Sequence, residues 1–399
     1  MPLCSGRLRA DVVTHLELSD VTLMPSTARA GKLPGSAGPP GATSRGVTLS
    51  NDRTLFGNLT TGLNPPRIVE ASAYPVQPTS NPSQGSPMNT PLTTDLGILR
   101  AVGNTPLVRL RDNGSGAGVL VKLEYLNPSG SVKDRMALAI IEDAEQRGEL
   151  KPGMTVVEYT GGSTGPALAL ACRAKGYALK LVTSSCFTPE RLAMMSAFGA
   201  DLEVLPRKSP DGMIQEDVAG MTARVAELAA LPEYFSTDQF HNQAMVEGYR
   251  RTLGQEILEQ TDGRLAAFCT GVGTGGTLMG VALAIKEKVP SCQVVAMEPA
   301  SSPALSQGVV GPHQLQGLSG GKSPLVDLSV IDSVETAGDE EAIATAASLV
   351  KTDGILAGIT TGANVVVARR LAERLGPDDV VVTIAVDSGM KYMSTGIFG

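Results

Sequence analysis

Ala266-Ala-Phe-Cys-Thr-Gly-Val-Gly-Thr-Gly-Gly-Thr277 is the stretch whose reading decides the fold. Residues 266–270 form an apolar run of strand length, and 277–288 carries a helical pattern. Between them, Gly271 to Thr277 is a turn of small residues, so backbone amides and the positive end of the helix dipole converge on one point. That is a cradle for an anion such as phosphate, lined by Gly273, Thr274, Gly275, Gly276 and Thr277. The same letters satisfy GxGxxG, and Glu298 follows about 22 residues on, where a dinucleotide fold places its ribose-binding acid. A nicotinamide-dependent oxidoreductase is therefore a rival reading of this turn.

The alternation extends outward in both directions. Residues 155–159 read as a strand before a helix at 164–175, 179–183 before 189–198, and 202–205 before 215–228. Further on come a strand at 294–297, helices near 339–352 and 363–375, and an apolar run at 380–386. Near-continuous apolar strands separated by helices imply parallel sheets covered on both faces. We therefore expect an α/β protein with two doubly wound parallel-sheet lobes, an N-terminal one over 94–245 and a C-terminal one over 246–399. Ligands in such sheets sit at the carboxyl ends of the strands.

Residues 1–93 differ in texture, being crowded with Pro, Gly, Ser and Thr as in Gly35-Ser-Ala-Gly-Pro-Pro-Gly41. Such a segment packs no core, and we expect a disordered leader or an upstream start ahead of Met88. It lacks a secretory apolar core, and its acidic residues argue against organellar targeting as the first choice, so the expected location is the cytoplasm. The 399 residues are 42% hydrophobic, enough for real cores, and the formal charge of -7 argues against a nucleic-acid partner. No apolar run reaches membrane-span length. Five cysteines without a CxxC pair read as reduced and buried, and three histidines give a zinc site little to be built from.

Asn127-Pro-Ser-Gly-Ser-Val-Lys-Asp-Arg135 places Lys133 at the mouth of a helix, behind small residues that let a flat ring approach the backbone. An amine so placed can form an imine with an aldehyde and afterwards act as a base. A third small-residue loop, Thr160-Gly-Gly-Ser-Thr-Gly165, opens the helix at 164–175 and offers amides to a carboxylate.

Together these three segments resemble the pyridoxal-phosphate β-replacement enzymes of fold type II, the cysteine synthase and cystathionine β-synthase family. Further strings support the resemblance: Gly103-Asn-Thr-Pro-Leu-Val-Arg-Leu110, Gly354-Ile-Leu-Ala-Gly-Ile-Thr-Thr-Gly362 and Asp387-Ser-Gly-Met-Lys-Tyr-Met-Ser394. It spans roughly residues 96–398 and implies a cofactor, pyridoxal 5'-phosphate, in the cleft between the two lobes. It makes Lys133 the Schiff-base lysine and 273–277 the phosphate loop. It puts Thr360 at the pyridine nitrogen, with Ser163 where the family has an asparagine at the ring hydroxyl. Thr160, Gly161, Gly162, Thr164 and Gln239 would hold the substrate carboxylate. The family loop usually reads TSGNTG, so Gly161 lacks a hydroxyl and Ser163 lacks an amide donor. The implied reaction is replacement at the β-carbon of O-acetylserine or O-phosphoserine by a sulfur nucleophile, in a homodimer. Synthesis of S-sulfocysteine, cystathionine or a diaminopropionate-type product is the alternative on the same scaffold, and an inactive docking partner is a more distant one.

Overall fold

The structure, a computed structural model, describes residues 97–111, 116–209, 214–318 and 323–398. The expected leader and Cys4 lie outside the described residues. The chain lays down β1 (Leu107–Arg109) and β2 (Gly118–Lys122), then α1 (Lys133–Gln146). Next come β3 (Thr155–Tyr159), α2 (Thr164–Lys175), β4 (Ala178–Ser184), α3 (Pro189–Ala197), β5 (Asp201–Leu205), α4 (Gln215–Ala229) and β6 (Tyr234–Ser236). Helices α5 (Gln243–Tyr249) and α6 (Gln255–Gln260) lead to β7 (Ala267–Gly271), α7 (Gly276–Lys288), β8 (Gln293–Pro299) and β9 (Ser333–Ala337). Helices α8 (Asp339–Asp353) and α9 (Ile359–Glu373) precede the last strand, β10 (Val380–Ile384).

Two sheets result, one of six strands in the order β1-β2-β10-β7-β8-β9 and one of four in the order β5-β4-β3-β6. Every pairing is parallel except β1 with β2. Central strands are buried as their composition requires: Val156, Val157, Phe268, Val295, Val381 and Val382 are wholly inaccessible. The fold class expected from the alternation is the one observed.

The division expected at 245/246 needs correction. Strand β2 pairs with β10, Gly118 against Val380 through Lys122 against Ile384, so residues 107–122 belong to the six-stranded sheet. The four-stranded sheet is an excursion made by residues 155–236 before the chain returns. Partners 262 residues apart are invisible to local patterning, which registers runs and not pairings.

Helix α1 joins the two halves. Met136 and Ile140 pack with α5 and α7 in one core, while Ala137, Ile141 and Ala144 pack with α2 and β3 in another. The i, i+4 spacing puts each set on its own stripe of the helix. Lys133, the first residue of α1, is thereby fixed from both sides.

Candidate active site

The loop before α1 shows why its residue types are needed. Asn127 accepts the Gly103 N–H at 2.8 Å and donates to the Glu124 carbonyl at 2.8 Å and to Glu124 Oε2 at 2.9 Å. The Ser129 N–H donates to Asp134 Oδ2 at 2.7 Å and its hydroxyl donates to the other oxygen of that carboxylate. Gly130 has φ +78°, which any side chain would resist. The Val132 N–H donates to the Val386 carbonyl at 2.9 Å, and Ser131 bridges Asp387, so the lysine loop is stitched to the segment after β10. Burial raises the Asp134 carboxyl to about 6, against the opposing pull of its Ser129 hydrogen bonds.

Behind the lysine lies a closed ionic network. Arg135 reaches both oxygens of Glu124, at 2.7 and 2.8 Å, and both of Glu256, at 2.6 and 2.7 Å. Lys122, fully buried, donates to the Thr105 carbonyl at 2.6 Å, Glu256 at 2.7 Å and Gln260 at 2.8 Å. Burial alone would raise the Glu256 carboxyl, but the Arg135 and Lys122 charges and hydrogen bonds hold it at about 2. The network pins α1 to β2 and α6.

Lys133 itself is half-buried, and desolvation lowers its ammonium pKa to about 8, with the Asp387 carboxylate resisting and the Lys391 charge adding to the fall. A sizeable neutral fraction at physiological pH is what a nucleophile and base requires. Asp387 is buried; its Oδ2 accepts from the Tyr392 hydroxyl at 2.9 Å and from the Ser163 hydroxyl at 3.3 Å. Its Oδ1 has no hydrogen-bond partner among the described residues. Ser163 in turn accepts from Lys391 Nζ at 3.1 Å.

The loop at 160–165 and the glycine-rich turn sit at the carboxyl ends of β3 and β7, where parallel sheets place their ligands. The Thr164 hydroxyl donates to Gln239 Oε1 at 2.8 Å, Gln239 Nε2 donates to the Tyr159 carbonyl at 3.1 Å, and the Gly162 N–H donates to Thr160 Oγ1 at 3.1 Å. Gln239 thus braces Thr164. The missing side chain at Gly161 has a reason: a Cβ there would stand 1.9–2.0 Å from the Phe187 ring, which occupies that space. In the turn, Gly275 has φ +88° and a Cβ on Gly273 would lie 2.4 Å from the Gly317 carbonyl, so backbone conformation and packing already demand glycine. The Thr277 hydroxyl meets Tyr249, whose own hydroxyl donates to the Val132 carbonyl at 3.0 Å. The glycine-rich turn and the lysine loop are therefore joined through one buried tyrosine. Thr360, buried at the start of α9, donates to the Gln316 carbonyl at 2.8 Å.

The dinucleotide reading does not survive. Glu298 is buried and accepts from the Leu305 N–H at 2.6 Å, the Ser306 N–H at 3.2 Å and the Ser306 hydroxyl, so it secures its own loop and offers no ribose an acceptor. Burial raises the thiols of Cys172, Cys269 and Cys292 to about 12, which leaves them inert at neutral pH, while Cys186 is only half-buried. Asp387, Lys391, Phe187 and Tyr249 were not singled out from sequence. Asp387 and Lys391 stood inside a quoted string, but nothing in its letters shows which side chains face Lys133.

The residues present fit pyridoxal phosphate: an amine of lowered basicity, an amide-rich turn at a helix N-terminus for the phosphate, a hydroxyl at Thr360, and a buried carboxylate oxygen left without a partner at Asp387. Comparison with known proteins agrees. The family model described as pyridoxal-phosphate dependent enzyme matches residues 98–387. A cysteine synthase from Staphylococcus aureus is 42% identical over 305 residues, 75% of this chain and 96% of that protein. Among solved structures, an O-ureido-L-serine synthase superposes with TM-score 0.70 at 38% identity, over 75% of this chain and 94% of its own. A cysteine synthase from Entamoeba histolytica gives TM-score 0.71 at 33% identity, over 80% of this chain and 94% of its own. Matched by the family model over residues 98–387 and 42% identical to a cysteine synthase over 75% of its length, this chain belongs to the pyridoxal-phosphate-dependent enzymes.

Proposed function

We propose that this protein replaces the β-substituent of an activated serine, O-acetylserine or O-phosphoserine, with a sulfur nucleophile, sulfide foremost. The observation that carries the reading is Lys133, an amine held near pKa 8 by burial beside the Asp387 carboxylate. The cofactor, when bound, supplies the electron sink that acidifies the α-carbon and lets a β-leaving group depart. Lys133 would hold the cofactor through its amine, and its nitrogen, when free, would take the substrate's α-proton. Thr160, Gly161, Gly162 and Thr164 present backbone amides and hydroxyls to the substrate carboxylate, with Gln239 fixing Thr164. Gly273, Thr274, Gly275, Gly276 and Thr277 would receive the phosphate, and Thr360 would stand at the ring nitrogen as a neutral hydroxyl, which would favour elimination at the β-carbon over transamination. The likeness to a cysteine synthase and an O-ureido-L-serine synthase supports an O-activated serine as donor and leaves several nucleophiles within the scaffold's reach. We further propose a cytoplasmic homodimer whose lobes enclose the cofactor.

The test is to load the full chain with pyridoxal phosphate, record the absorbance near about 410 nm that reports lysine-bound cofactor, and add each donor without nucleophile. A shift of the band with one donor names that donor, and product analysis with sulfide, thiosulfate, homocysteine or an amine names the nucleophile. Lys133→Ala is expected to lose the lysine-bound band and roughly 10²–10⁴-fold or more in kcat. A wild-type chain that develops no such band, or an alanine variant that keeps its rate, overturns the reading.

A further inference from the structure

The cluster around Lys133 contains a second amine that the reaction scheme does not use. Lys391 lies in the segment after β10, and its Nζ donates to Ser163 Oγ at 3.1 Å. Its Cε and Nζ lie 3.6 and 3.9 Å from the point where a Cβ on Gly130 would stand, three residues before Lys133. An ammonium has three N–H donors, and Ser163 takes the one whose protein partner is identified. Tyr392, the next residue, is anchored on Asp387 at 2.9 Å, and the Arg191 guanidinium sits 5.6 Å from the Tyr392 ring centroid. The segment carrying Lys391 is therefore held firmly against the site.

The bonding of pyridoxal phosphate decides what such a donor can meet. The ring carbon that bears the hydroxyl is next to the one that bears the aldehyde, and the phosphate arm is on the other side. With Lys133 at the aldehyde and the phosphate in the glycine-rich turn, the ring oxygen falls on the side away from that turn. Lys391 approaches Gly130 of the lysine loop and Ser163 at the start of α2, with the Asp387 and Asp134 carboxylates also near its charge. The ring oxygen is anionic when ionised and wants donors; the Asp387 carboxylate can only accept, and Ser163 spends its proton on Asp387. Lys391 is the donor left over.

Resting on the cofactor reading above, we propose that Lys391 is a cofactor-binding residue that donates to the ring oxygen of pyridoxal phosphate, with Ser163 as its positioning partner. The donor that Ser163 lacks as a replacement for asparagine is thus supplied from the far end of the chain. A charge-assisted hydrogen bond of this kind corresponds to about tenfold or more in affinity.

The experiment measures uptake of two aldehydes by the full chain stripped of cofactor, pyridoxal phosphate and its analogue lacking the ring hydroxyl, in wild type and in Lys391→Met. The expected result is about tenfold weaker binding of pyridoxal phosphate to the variant, an unchanged affinity for the analogue, and recovery of much of the loss in Lys391→Arg. Equal loss for both aldehydes, or no loss for either, overturns the proposal, since a merely structural lysine would not distinguish them. Should Lys391→Met fail to fold, Lys391→Gln is read by the same two ratios. If wild type takes up neither aldehyde, the cofactor reading itself has failed, a result distinct from an intact wild type with an indifferent variant.

Discussion

Two buried charge clusters flank the first turn of α1, and they are built to opposite rules. In the first, Arg135, Glu124, Glu256 and Lys122 meet one another at 2.6–2.8 Å, the two carboxylates bidentate to one guanidinium. In the second, Lys133, Lys391, Asp387 and Ser163 leave Asp387 Oδ1 without a hydrogen-bond partner among the described residues and hold one lysine well below its ordinary basicity. The first cluster satisfies itself and is scaffold; the second does not, and is where chemistry is possible. A single residue, Asp134, separates Lys133 from Arg135, so one short string serves both purposes.

The largest effect that would test this contrast is Arg135→Met in the cofactor-free chain, which leaves the Glu124 carboxylate buried without its ion-pair partner and Glu256 with Lys122 alone. It should lower unfolding stability by about 3–5 kcal/mol in denaturant titration; a loss under about 1 kcal/mol would mean the network is not what pins α1. Next comes Gly161→Ser, which restores the family's residue against the Phe187 ring. Overpacking predicts a loss of about 1–3 kcal/mol, largely relieved in the double variant with Phe187→Ala. Additive losses would show that the ring is not the obstacle.

Lys133→Met should have the opposite sign to Arg135→Met. The folded pKa of Lys133 is about 8 against an ordinary 10.5, so between those values the unfolded chain binds the extra proton and stability rises with pH. Below about 8 the full penalty stands, so the methionine variant of the cofactor-free chain should be more stable at pH 7 by about 1–2 kcal/mol, an advantage that fades as pH approaches 10.5. Thermal unfolding of both chains at pH 7 and 10 measures it, and a destabilised variant would refute the picture of a strained site. The smallest effect is Tyr249→Phe, expected to cost about 1 kcal/mol through the lost hydrogen bond to the Val132 carbonyl. If the tyrosine joins turn to lysine as its contacts suggest, cofactor affinity should fall with it; an unchanged affinity would reduce it to packing.

Much of this site was legible in the letters. Lys133, the glycine-rich turn, the loop at Thr160 and Thr360 stand in short strings whose chemistry is local: a helix start, a run without side chains, a hydroxyl at a helix entrance. The strand-and-helix alternation likewise gave the fold class, because a strand buried on both faces must be apolar along its length. Gln239 was expected near a substrate carboxylate; the structure shows it hydrogen-bonded to Thr164 and braced by Tyr159, 80 residues away.

What tertiary structure alone decided is who meets whom. Strand β2 belongs with β10 and not with the strands that follow it, Glu298 turns inward to its own loop, Phe187 fills the space above Gly161, and Lys391 and Asp387 arrive beside Lys133 from the last turn of the chain. Each of these is a pairing across long sequence separation. The sequence by itself determines local propensity, periodicity and backbone freedom; the partner of a side chain is set only when the sheets close and bring distant segments within about 3 Å of one another.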